Sequence, residues 1–110
     1  MKRWPVVFRP DAETDLFDIY QYIAKARGNI NIAFEFTERL RSACMKLEHF
    51  PERGTKRDEV ISGLRILTHE RKTVIAYFIT ADTVVISNIF HGGRDWEAYI
   101  ALPKDESFKE

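Results

Sequence analysis

The side chains in this chain that could move a proton or hold an anion are few and far apart in sequence. Histidine occurs at 49, 69 and 91, and cysteine only at 44. His91 has the most distinctive setting. It closes a β-prone run, Ile86-Ser-Asn-Ile-Phe90, and is followed by Gly92, Gly93, Arg94 and Asp95. An imidazole titrates near neutrality, so at the end of a strand it could serve as general acid or base. It could equally bond to backbone and lock the turn. Arg65 alternates with Leu64 and Ile66, which puts it on the face opposite those two. Its planar fork of donors suits phosphate or carboxylate, or an ion pair with a neighbouring acid.

Other chemistries find no footing. No phosphate-cradling glycine loop, nucleophile elbow or pair of histidines at metal-ligand spacing is present. A zinc site would need the scattered histidines to converge with a carboxylate. Cys44 lies on an apolar helical stripe and reads as a small core residue; alone, it can form no internal disulfide. No metal or cofactor is expected.

These residues need elements to position them. Trp4 to Phe8 is a short strand that Pro5 confines to an edge or a strand start. Pro10 suits the first position of a helix whose Leu16, Ile19, Tyr20 and Ile23 share one face, with Asp11, Glu13 and Asp15 at its positive end. Gly28-Asn29 reads as a left-handed stop followed by a new cap, giving a helical hairpin. The second helix, about Ile32 to Phe50, carries Ala33, Phe36, Leu40, Ala43, Cys44 and Leu47 and ends at Pro51. The polar stretch Pro51 to Gly63 is the one long connection.

After Gly63 the apolar period falls to two. Runs at 64–69, 73–80 and 83–90 predict an antiparallel meander, with Ala81-Asp82 at a tight turn. Asp95 can cap a last short helix in which Trp96, Tyr99 and Ile100 share a face. The order β-α-α-β-β-β-α predicts an α+β fold, a helical hairpin packed on a small antiparallel sheet. The expected core is Leu16, Ile19, Tyr20, Ile23, Leu40, Cys44 and Leu47 on the helices, with Ile66, Ile75, Tyr77 and Ile86 on the sheet. If the sheet's second face is open, it is the natural place for a partner or substrate.

The 110 residues make one domain, 1–110, with 103–110 expected to fray. Apolar residues are 45% and charged residues 31%, which fits a globule. Seventeen cations balance seventeen anions, so no global field attracts nucleic acid or an anionic membrane. The balance hides a gradient: residues 1–37 hold five of each sign, 38–72 nine basic against six acidic, and 73–110 three against six. The longest apolar run, Val74 to Ile79, cannot span a bilayer, and Met-Lys-Arg-Trp-Pro begins no signal core. The expectation is a small cytoplasmic domain without membrane contact.

Five pieces in order resemble the ParE branch of the ParE/RelE toxin superfamily of bacterial toxin–antitoxin modules. They are Pro10-Asp-Ala-Glu-Thr-Asp-Leu16, Phe50-Pro-Glu-Arg-Gly54, Gly63-Leu-Arg65, Ala76-Tyr77 and His91-Gly-Gly-Arg-Asp95. The resemblance implies the fold derived above. It also implies a toxin that binds and poisons DNA gyrase and is neutralised by a cognate ParD-like antitoxin, with no sequence-specific nucleic-acid contact of its own. Target-binding candidates are then Arg65, His91, Arg94 and Trp96. Phe17 and Phe34, off the main core stripes, are candidates for the antitoxin contact. The RelE branch instead cleaves mRNA on the ribosome, and on that alternative Arg65, His91 and Glu59 would form the catalytic set. Gly92 stands where several of those nucleases place an aromatic residue, and no lysine pair accompanies Arg65. A toxin-derived domain without remaining toxicity is the third expectation.

Overall fold

The computed structural model describes residues 2–93 and 95–101. Arg94 and the tail expected to fray lie outside the described residues. Strand β1 (Val6–Phe8) leads to α1 (Pro10–Arg27) and α2 (Ile30–Met45). Two short 3-10 turns (Lys46–Glu48 and Pro51–Arg53) precede β2 (Thr55–Lys56), β3 (Leu64–His69), β4 (Thr73–Ile79), β5 (Val84–His91) and α3 (Trp96–Ala101).

The hairpin forms for the local reasons its sequence carries. Pro10 opens α1, with Asp11 and Glu13 in the first turn and Lys25 and Arg27 in the last. Gly28 takes φ 62°, the left-handed conformation that ends the helix. Asn29 then caps α2, its side-chain oxygen accepting the N–H groups of Asn31 and Ile32 at 2.8 and 3.2 Å.

The sheet order is β1-β5-β4-β3-β2. The meander is antiparallel, but β1 pairs parallel to β5, so the sheet is mixed rather than purely antiparallel. Parallel neighbours need a long crossover, which the hairpin and meander between β1 and β5 provide. Ser87 is the extra residue of a bulge: Tyr77 pairs with Ile86, and Ala76 with Asn88. Through it Ile86 and Ile89, three residues apart, both enter the core beneath the helices.

That core holds Leu16, Ile19, Leu40, Cys44 and Leu47 against Ile75, Tyr77, Ile86 and Ile89. Tyr20 and Ile23 are only half-buried. The sheet has a second buried face, where Leu64, Ile66, Ala76 and Phe90 pack with Ile100 of α3. Ile66 therefore belongs to the core under α3, not to the one under the hairpin. Alternation separates Arg65 from Leu64 and Ile66 without saying which face lies under the hairpin. The sheet is covered on both sides, so its second face is not open.

Candidate functional site

Arg65 points to the hairpin side of the sheet, in register with Tyr77. Its Nη1 donates to the carbonyls of Glu52 and Gly54 at 3.1 and 2.8 Å. Tyr77 completes the clamp: its hydroxyl donates to the Pro51 carbonyl at 2.7 Å and accepts the Gly54 N–H at 2.8 Å. Burial holds the Tyr77 phenol above its ordinary pKa. A Cβ on Gly54 would stand 2.6 Å from the Tyr77 oxygen and 2.9 Å from the Ile66 carbonyl, so glycine alone fits. The guanidinium thus holds the Pro51–Arg53 turn against the sheet.

His91 lies at the other end of the sheet. It pairs with Thr73, and Thr73 with His69, whereas Arg65 sits four residues back along β3. At ~3.3 Å per residue that is about 13 Å along the strand, with two strand spacings to cross as well. His91 Nδ1 lies 2.8 Å from Thr73 Oγ1. Its ring meets Tyr22 of α1 and Phe36 of α2 edge-on, at centroid distances of 5.9 and 5.4 Å. Phe36 in turn meets His69 at 6.0 Å. Burial, aided by the nearby Lys72 ammonium, pushes the His91 pKa below its ordinary value. The imidazole is wedged between hairpin and sheet end, where burial favours its neutral form.

Gly92 and Gly93 both take positive φ, 84° and 78°, and turn the chain out of β5. Asp95 caps α3, its carboxylate accepting the Ala98 N–H at 3.2 Å. Trp96 is half-buried on the second sheet face, with the Arg57 guanidinium 5.0 Å from its ring. Arg57 also pairs with Glu97, and with Glu59 at 2.5 Å. That contact lowers the Glu59 pKa and commits its carboxylate to Arg57. Arg65, His91 and Glu59 therefore do not meet around one point.

Phe17 and Phe34, both more than half exposed, do come together. They line one groove of about 300 Å³ on the outer side of the hairpin, beside Glu13, Glu38 and Arg41. Sequence reasoning missed the surroundings of His91, where Tyr22 and Phe36 converge on it from separate helices. Tyr22 stands off the Leu16–Ile19–Ile23 stripe, the one signal available, but only the docking angle of the hairpin aims it at β5.

Burial pushes the Cys44 thiol up to about 12, which makes it inert. Among the described residues no group of three or more His, Cys, Asp or Glu could hold a metal ion. Nor is any described helix long and apolar enough to cross a membrane.

Among curated proteins no sequence matches this chain. Solved structures share its fold, among them the following two. One, described as the chromosomal ParDE TA system from P. aeruginosa, superposes with a TM-score of 0.72 at 20% identity, covering 81% of this chain and 96% of that one. The other, described as the toxin-antitoxin complex RelBE2 from Mycobacterium tuberculosis, gives a TM-score of 0.53 at 21% identity, covering 86% and 97%. At the level of the family, residues 6–96 match the one described as ParE toxin of type II toxin-antitoxin system, parDE. That stretch runs from β1, through the hairpin, the Arg65 clamp and the His91 turn, to the first residue of α3, and it makes this chain a member of the ParE toxin family.

Proposed function

We propose that this chain is a toxin that acts by binding and poisoning DNA gyrase, and that a ParD-like antitoxin neutralises it. The observation that supports target binding over mRNA cleavage is the commitment of Arg65, His91 and Glu59 to three separate structural tasks. A ribonuclease must hold one scissile phosphate and move two protons beside it, which calls for convergent groups. We assign the target-binding face to the turn after β5 and to α3, with Trp96 on it, Arg94 a candidate by its place in the sequence after Gly93, and His91 supporting the turn from behind. Arg65 holds the 51–54 segment on the opposite, hairpin side of the sheet and is not assigned to that face.

An antitoxin partner is supported by the two fold neighbours, both described as toxin–antitoxin assemblies. Phe17 and Phe34 offer it an apolar groove that water would otherwise cover. Expression of the chain alone should arrest growth, and co-expression of the antitoxin should restore it. Healthy growth on strong induction of folded protein would make the chain a toxin-derived domain instead.

The test of mechanism compares supercoiling by purified gyrase with mRNA cleavage on translating ribosomes. Wild-type protein and His91→Gln should both inhibit supercoiling and leave mRNA intact. Cleavage by the wild type that vanishes with His91→Gln, with supercoiling untouched, would establish the ribonuclease.

A further inference from the structure

A cleft of about 500 Å³ opens where the tip of the helical hairpin overhangs the end of β5. Its floor is apolar, built from Ile23, Ala26, Ile32 and Phe36, and Tyr22 and His91 form one wall. Its rim is cationic. Arg27 comes from the last turn of α1, Arg39 from α2 and Lys72 from the β3–β4 turn. Arg39 is paired with Glu70 at 2.7 Å and lies 5.5 Å from the Phe36 ring. Neither Arg27 nor Lys72 makes an ion pair among the described residues. Three cations against Glu70 leave the cleft with a net charge of +2 in a chain whose overall charge is zero.

We propose that this cleft docks an acidic, apolar segment of the protein partner, its carboxylates meeting Arg27 and Lys72 and its aliphatic side chains covering Ile23 and Ile32. The inference rests on the antitoxin reading above and adds where a second stretch of that partner binds and what its chemistry is. Charge distinguishes the two surfaces. In the outer groove Glu13 and Glu38 outnumber Arg41, a net charge of −1, so an acidic segment is directed to the cleft and away from Phe17 and Phe34. Ile23, Ala26 and Ile32 give the floor an aliphatic stretch that fits leucine or isoleucine side chains, beside the ring of Phe36 and the exposed ring of Tyr22. Beyond the Tyr22–His91 wall the next recess carries Asp15 and Asp18, which repel a polyanion running on past the cleft.

The test titrates the full chain with a fluorescein-labelled peptide of alternating leucine and glutamate pairs, followed by anisotropy. A peptide with lysine for glutamate is the control. The glutamate peptide should bind saturably and the lysine peptide should not. The double variant Arg27→Glu, Lys72→Glu should weaken binding about 10-fold or more, as should raising salt to about 0.3 M. Arg9→Glu with Lys25→Glu, the same charge change outside the cleft, should leave it within about twofold. Circular dichroism checks that each variant is folded.

No binding to the wild type, or equal losses in the two double variants, would overturn the proposal. Displacement of the peptide by a thymidine oligonucleotide of equal charge at lower concentration would assign the cleft to nucleic acid instead. Growth rescue separates the two readings. If the antitoxin rescues cells making the Arg27→Glu, Lys72→Glu toxin as fully as wild type, the partnership stands and the cleft has no part in it. If it rescues neither, the partnership reading itself fails.

Discussion

Asp15 on α1 accepts the backbone N–H of Ile89 on β5 through Oδ2 at 2.8 Å, across the bulge at Ser87. The Asn88 amide approaches the same oxygen at 3.4 Å, and the Ser87 hydroxyl donates to Asn88 Oδ1 at 2.8 Å. A bulge interrupts the strand ladder and leaves backbone groups to be satisfied by other means. Here a helix supplies the acceptor. The Asp15-Leu16 pair thus has a physical reason, since Leu16 fills the core while its neighbour secures the bulged strand beneath it.

Asp15→Ala should therefore destabilise the fold by about 1–3 kcal/mol, the cost of leaving a buried N–H without its acceptor. Asp15→Asn keeps an acceptor oxygen of the same reach and should lose clearly less. Urea unfolding midpoints of the two variants check this, and equal losses would count against the assignment.

Tyr77→Phe removes a hydroxyl that serves both Pro51 and Gly54. The expected loss is again about 1–3 kcal/mol. Arg65→Ala should loosen the same segment, since hydrogen bonds to charged groups contribute about 1.5–3 kcal/mol. Amide exchange of residues 51–57 should speed up in both variants while α3 stays protected. Arg65→Ala that lowers toxicity without faster exchange there would put Arg65 on the target face directly.

Leu40 is fully buried under the sheet. Leu40→Ala should cost about 2–5 kcal/mol. An unchanged thermal midpoint would contradict the hairpin packing.

Stability should fall as pH drops below neutrality. His69 and His91 both have pKa values lowered from 6.5, chiefly by burial. For His69 burial outweighs the attraction of Glu70, whose carboxylate lies 3.2 Å from its Nε2 without forming an aligned hydrogen bond. The unfolded chain takes up these protons first, so stability is complete above the unfolded pKa. It is lost as pH falls through 6.5 towards the lowered folded values. His91→Gln keeps the side chain neutral at every pH and should flatten the slope between about pH 7 and 5. Denaturant midpoints across that range measure it, and an unchanged slope would show that His91 is not the group responsible. Toxicity of His91→Gln should stay near wild type if the residue only supports the turn.

The sequence by itself determined the elements and their order, because the signals are local. Pro10, Gly28, Asn29 and Asp95 act on backbone conformation and caps within a few residues of themselves, and the change of apolar period from helix to strand is visible in any short window. The tertiary structure alone decided which face of β3 lies under the helices. Leu64 and Ile66 alternate with Arg65 whichever way the strand is turned, and a sheet buried on both faces gives apolar residues no preferred side. It also decided the parallel pairing of β1 and the bulge at Ser87, both set by partners nearly 80 residues away or across the sheet. The site follows the same division. His91 and its two glycines were legible as a turn, but Tyr22, Phe36 and Lys72 gather around it only because the hairpin docks with its tip over the end of β5. Side chains far apart in sequence converge through packing, and packing is a property of the whole chain.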